Sequence, residues 1–154
     1  MYGVFRNWQR NGTWQQVHDR LREMVRKSDG KKPTATVAII DSQSVRSAEG
    51  GEQRGFDGGK KVTGRKRHIS VDSLGLLLVA VVHSANFQDY EGGHFVLNGI
   101  KDRFKRLKVV FADSAYGKCG FPAWAKTACR VTLQTALQAL TTRHSGETPF
   151  RVGS

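Results

Sequence analysis

The chain has 154 residues and carries 25 Lys and Arg against 13 Asp and Glu, a formal net charge of +12. That length suits one ordinary domain with a small core. The charge says little about fold but predicts a polyanionic partner, nucleic acid first, because the basic residues are spread through a globular pattern and not along one membrane-surface helix. No apolar run approaches the roughly 18 residues of a membrane span. Cys119 and Cys129 match neither a CxxC pair nor a zinc spacing and are expected to be reduced thiols. A cytoplasmic location is the default expectation.

Residues 11–27 are predicted as an amphipathic helix, with Trp14, Val17, Leu21, Met24 and Val25 on one side. Thr13 and Gln16 fit a capping box, and Arg26 and Lys27 complement the C-terminal dipole. Trp8 and Trp14 are expected to pack this helical region and not to stack on bases. The polar stretch 28–33 then leads into the first strand, 36–40, which Asp41 closes.

Residues 44–59, rich in Gly and charge, read as a loop without a strand. Residues 67–72 alternate, Ile69 and Val71 on one face and His68, Ser70 and Asp72 on the other, followed by a turn at 72–75. The unbroken apolar run 76–82 predicts a returning strand buried on both faces. A second helix is expected over 89–104, with Asp89 as N-cap and Val96, Leu97, Ile100 and Phe104 facing the core. Strand 108–112, closed by Asp113, and a short helix over 122–128 follow. From residue 130 the composition shows no strand pattern, and Leu133, Leu137 and Leu140 could share one helical face. The order β, β-hairpin, α, β, α is how an RNase H-like core begins.

A strand-terminal aspartate commonly caps a turn. Asp41 and Asp113, however, both sit among small loop-forming neighbours at the ends of apolar strands. On neighbouring parallel strands, about 4.8 Å apart, they would meet outside the carboxyl edge of the sheet, where ligands collect. There they could flank one Mg²⁺ or the pair of ions that stabilises in-line phosphoryl displacement. The run from Lys60 through Lys61, Arg65, Lys66 and Arg67 to His68 holds five Lys and Arg in nine positions, and we assign it to DNA phosphates rather than to a solvated face. The five histidines, His18, His68, His83, His94 and His144, show no metal-ligand spacing.

These stretches resemble the DDE transposases of bacterial insertion sequences. The resemblance covers about residues 2–128 and is carried by Phe5-Arg6-Asn7-Trp8 with Gly12-Thr13-Trp14, by Ile40-Asp41-Ser42-Gln43-Ser44-Val45, and above all by the segment from Gly55 to His68. Val71 to Leu76, Ala85-Asn86-Phe87-Gln88-Asp89 and Ala112-Asp113-Ser114-Ala115-Tyr116 continue it. It implies an α/β, RNase H-like mixed sheet with flanking helices, incomplete at its C-terminus and preceded by a short helical region. The implied divisions are a partial helical region and linker at 1–33, a partial DDE catalytic domain at 34–129 and a divergent tail at 130–154, in a chain cut at both ends.

The family cuts and joins DNA at transposon ends with two aspartates and one glutamate holding Mg²⁺ or Mn²⁺. The resemblance implies Asp41 and Asp113 as catalytic and metal-binding, DNA terminal inverted repeats as partner, a homo-oligomer and no membrane. No segment resembles the one that carries the family's glutamate, and Glu147 sits among turn-forming residues. A shifted reading frame after Cys129 would account for this. The first expectation is therefore a fragment with two of three ligands, inactive in strand transfer when alone. The alternative is a basic nucleic-acid-binding protein without catalysis, with an RNA-binding protein as a third reading.

Overall fold

A continuous antiparallel ladder from Ala38↔Asp72 to Arg46↔Gly64 joins strand β1 (Val37–Arg46) to strand β3 (Val62–Asp72). The computed structural model describes residues 2–47 and 54–135, and the chain divides at Ala35 into units Met1–Ala35 and Thr36–Ser154. In the second unit, β3 also pairs antiparallel with β2 (Gly55–Asp57) and β4 (Leu77–Ser84). On its other side β1 pairs in parallel with β5 (Val109–Ala112), which pairs in parallel with β6 (Thr132–Thr135). The sheet order is β2-β3-β1-β5-β6, with β4 on β3. Four strands joined by antiparallel pairing, followed by two parallel ones each preceded by a helix, make an RNase H-like mixed sheet.

Helix α3 (Asp89–Ile100) connects β4 to β5, and helix α4 (Phe121–Ala128) connects β5 to β6. Ala38, Ile40, Leu78, Val110 and Leu133 from the sheet are buried with Val96, Leu97, Ile100 and Phe121 from the helices. The opposite parity of the strands is exposed, including Ile39, Ile69 and Phe111. Burial of one face only explains the strict alternation along β3.

Several sequence expectations change. β1 does not stop at Asp41, because the β3 ladder carries it on to Arg46. The 44–59 loop instead contains the end of β1 and all of β2. The 76–82 run is not buried on both faces: β4 pairs with β3 alone, and Val82 is exposed while Leu78 is buried. The helix expected over 89–104 closes at Ile100, although Phe104 N–H still bonds the Ile100 carbonyl at 2.9 Å and Phe104 is buried as expected. Its N-cap is Gln88, whose N–H donates to Glu91 Oε2 at 2.7 Å, which frees Asp89 for another role. Leu133 lies in a strand and not on a helix, because 132–135 extend the parallel ladder of β5. Leu137, Leu140 and Glu147 lie outside the described residues.

In the first unit, helices α1 (Tyr2–Arg10) and α2 (Thr13–Ser28) meet through Trp8 and Trp14, ring centroids 5.3 Å apart. Thr13 does not open a capping box. Asn11 Oδ1 accepts from Thr13 N–H at 3.1 Å and from its hydroxyl at 2.7 Å, and Gly12 takes a left-handed φ of 77° between them. The apolar side of α2 is exposed at Val17, Leu21, Met24 and Val25, whereas Arg22 and Arg26 are buried. Arg22 pairs with Asp19 at 2.8 Å, and Arg26 Nε donates to the Lys32 carbonyl at 2.8 Å.

Candidate active site

The parallel ladder of β1 and β5 runs Val37↔Val109, Ala38↔Val110, Ile39↔Phe111. The ladder ends there; Asp41 follows Ile39 by two residues within β1, Asp113 follows Phe111 by two and lies one residue past the end of β5, and both are exposed. Asp113 caps the 3₁₀ turn Ser114–Gly117 by accepting the Ala115 N–H at 2.8 Å. Asp41 Oδ1 accepts the N–H of Ser42, also at 2.8 Å.

Both carboxylates act on one buried group. The Tyr116 hydroxyl, held in the turn after Asp113, donates to or accepts from His68 Nδ1 at 2.7 Å. Burial raises its pKa, and the negative charges of Asp89, Asp113 and Asp41 raise it further. Tyr116 is therefore a neutral phenol, and it ties the sheet floor to the site edge.

Beneath Asp41 lies a polar network that sequence analysis missed. Ser42 Oγ donates to Asp89 Oδ1 at 2.9 Å, and Lys60 Nζ donates to the Ser42 carbonyl at 3.0 Å. Lys66, only 4% exposed, pairs with Asp57 at 3.1 Å and Asp89 at 3.0 Å and donates to the Phe87 carbonyl at 2.9 Å. Asp57 also accepts from Ser44 Oγ and from the N–H groups of Gly59 and Lys60, the latter two at 3.0 and 3.1 Å. Burial works against ionising Asp57 and Asp89. The hydrogen bonds from Ser44, Lys60 and Lys66 to Asp57, and from Lys66 and Ser42 to Asp89, outweigh it and hold both below the usual carboxylate range. The available signal for Asp89 was its place in the Ala85–Asp89 stretch, which helix capping seemed to explain.

The basic run divides by strand parity. Lys60 and Lys61 lie in the β2–β3 turn, and Arg65 and Arg67 are exposed on the outer face. Lys66 and His68 are buried, at 4% and 0% exposure, so neither can meet a DNA phosphate. This corrects the assignment of both: alternation in β3 turns them inward, where carboxylates pair with Lys66 and the Tyr116 hydroxyl bonds His68 Nδ1.

Burial first, then the charge of His83, pulls the His68 pKa from 6.5 to about 4. The unfolded chain therefore binds more protons between these values, and stability present above pH 6.5 is lost as pH falls toward 4. At about 1.4 kcal/mol per unit, the loss reaches up to about 3 kcal/mol, with His94, also lowered by burial, acting in the same direction. Urea midpoints from pH 7 to 4.5 should fall for the native chain and flatten in His68→Gln. An equally steep fall in the variant would assign the effect elsewhere.

Hard carboxylate oxygens suit Mg²⁺ or Mn²⁺, and Mg²⁺ commonly keeps several waters and takes one or two protein carboxylates. Asp41 and Asp113 fit that donor set. Asp89 does not extend it, since its Oδ1 is occupied by Ser42 and Lys66. Among the described residues no group of three or more His, Cys, Asp or Glu is placed to hold a metal. No helix among them is long and apolar enough to cross a membrane.

An RNase H-like sheet with paired aspartates at the edge of its parallel strands defines the class of nucleic-acid-processing domains. Residues 32–150 match the family described as Transposase DDE domain, and the chain belongs to that family. Its role is accordingly in DNA transposition. A search of curated proteins found no match.

Proposed function

We propose that this chain binds transposon-end DNA and that Asp41 and Asp113 are two ligands of a divalent-metal site for phosphoryl transfer. The observation that supports this most is the parallel pairing of β1 with β5, whose ladder ends at Ile39↔Phe111, two residues before each aspartate. A bound Mg²⁺ or Mn²⁺ would activate the attacking oxygen and stabilise the leaving one. The chain's own contribution is to fix Asp41 through the Ser42 N–H and Asp113 through the Ala115 N–H. Lys60, Lys61, Arg65 and Arg67 are the exposed cations of the basic run, and they would position phosphates without reading sequence. Terminal inverted repeats as the DNA, a homo-oligomer and a cytoplasmic location belong to the same reading.

Incubation with end-containing DNA and Mn²⁺ tests it. Nicking is expected, and Asp41→Ala should reduce it to the level seen without metal. Activity surviving that substitution contradicts the assignment. The lack of a third metal-capable side chain among the described residues favours a second reading, a DNA-binding protein without cleavage. It predicts salt-sensitive binding with a log–log slope near −0.9 per phosphate contacted, and no metal-dependent product.

A further inference from the structure

The direction of the Asp41 carboxylate follows the peptide plane of Ser42, whose N–H holds Asp41 Oδ1 at 2.8 Å. That residue is pinned from two sides. Its hydroxyl donates to Asp89 Oδ1 at 2.9 Å, and its carbonyl accepts from Lys60 Nζ at 3.0 Å. Asp89 comes from the first turn of α3, and Lys66 from the neighbouring strand fixes it at 3.0 Å. Lys66 is anchored in turn on Asp57 and the Phe87 carbonyl. One connected chain of charge-assisted bonds thus runs from the β2–β3 turn, under the sheet, to the residue beside Asp41.

We propose that Asp89 is a positioning residue for Asp41, acting through Ser42, with Lys66 and Asp57 holding Asp89 ionised and oriented. The proposal rests on the reading that Asp41 and Asp113 bind a divalent cation. Asp89 is not assigned as a ligand, because its Oδ1 is shared by a hydroxyl and an ammonium. Groups that orient a ligand in this way commonly change metal affinity 10–100-fold when removed. A purely structural strut would change stability and leave affinity alone.

Calorimetric titration of the full chain with MnCl₂, paired with a urea midpoint for each variant, separates the two. Asp41→Ala should abolish binding. Asp89→Asn and Ser42→Ala should each weaken it about tenfold, and the double variant should be no weaker than either, since both break one link. Val79→Ala, away from the link, should lower stability and leave affinity unchanged. Unchanged affinity in Asp89→Asn and Ser42→Ala, beside abolished binding in Asp41→Ala, overturns the positioning role and leaves the metal reading intact. Unchanged affinity in Asp41→Ala overturns both. If Asp89→Asn does not fold, Ser42→Ala carries the test alone, because it removes a single hydroxyl and no charge.

Discussion

Replacing Lys66 with Met should destabilise the sheet unit by about 3–5 kcal/mol, a large part of the roughly 5–15 kcal/mol that holds a typical domain together. The ammonium stands between Asp57 and Asp89, whose side chains are 9% and 15% exposed. Without it two carboxylates, both held ionised in the native chain, face one another with little water to screen them. The attraction lost is less important than the burial cost left behind. Two further results follow from that cause. The deficit should shrink as pH falls far enough to protonate the aspartates. The triple variant Asp57→Asn, Lys66→Met, Asp89→Asn should recover much of the loss, since removing every charge of a buried group is far milder than removing one. Urea midpoints measure all three proteins. A loss below about 1 kcal/mol for Lys66→Met, the range of an exposed pair, would show that water reaches the site.

The second large effect is expected at Gly92. In an exposed helix, Gly to Ala gains close to 1 kcal/mol. Here a Cβ would stand 2.1 Å from His68 Nε2 and 2.5 Å from its Cε1. The ring has nowhere to move: Nδ1 is bonded to the Tyr116 hydroxyl, and its face stacks on His83 with centroids 4.9 Å apart. Gly92→Ala should therefore cost about 3 kcal/mol by overpacking, against the helix propensity. Gly99→Ala in the same helix is the control, because its Cβ would meet only Val79 Cγ2 at 3.3 Å. Thermal melts of the two variants should diverge. Equal stability would mean that α3 is free to shift away from the sheet.

The glycines of α3 illustrate what a sequence does and does not display. Gly92 and Gly93 weaken a helix by propensity, yet they are what lets α3 lie against His68 and Phe121. Close approach between distant segments leaves no periodic trace. The carboxylates were legible for the opposite reason. Apolar runs that lead into Asp41 and Asp113 carry their own local signal, and β1 and β5 pair in parallel just before them.

Strand β3 lies between these cases. Its alternation was visible, including the partition of Ile69 and Val71 from His68, Ser70 and Asp72. Which face turns inward was not, since hydropathy puts the polar face outside. The structure buries it with most of its groups partnered, His68 Nδ1 by Tyr116, Lys66 by two aspartates, and Asp72 by the N–H groups of Leu74 and Leu76 at 2.9 and 3.0 Å, while Ser70 Oγ and His68 Nε2 are buried without a hydrogen bond. Those bonds offset desolvation. The same inversion turned Lys66 and His68, two of the six residues of an apparent DNA-binding run, into the support beneath Asp41. Asp89 was obscured differently, because a helix-initial aspartate already has a sufficient local explanation in capping.

The central claim is that Asp41 and Asp113 together bind a divalent cation at the edge of the parallel strands. Paramagnetic Mn²⁺ added in substoichiometric amounts to isotope-labelled protein tests it most directly, by broadening amide resonances close to the ion. The account predicts selective loss of the Ser42, Ser114 and Ala115 signals, abolished in the Asp41→Ala, Asp113→Ala double variant. Broadening centred elsewhere, or unchanged in that variant, would contradict it.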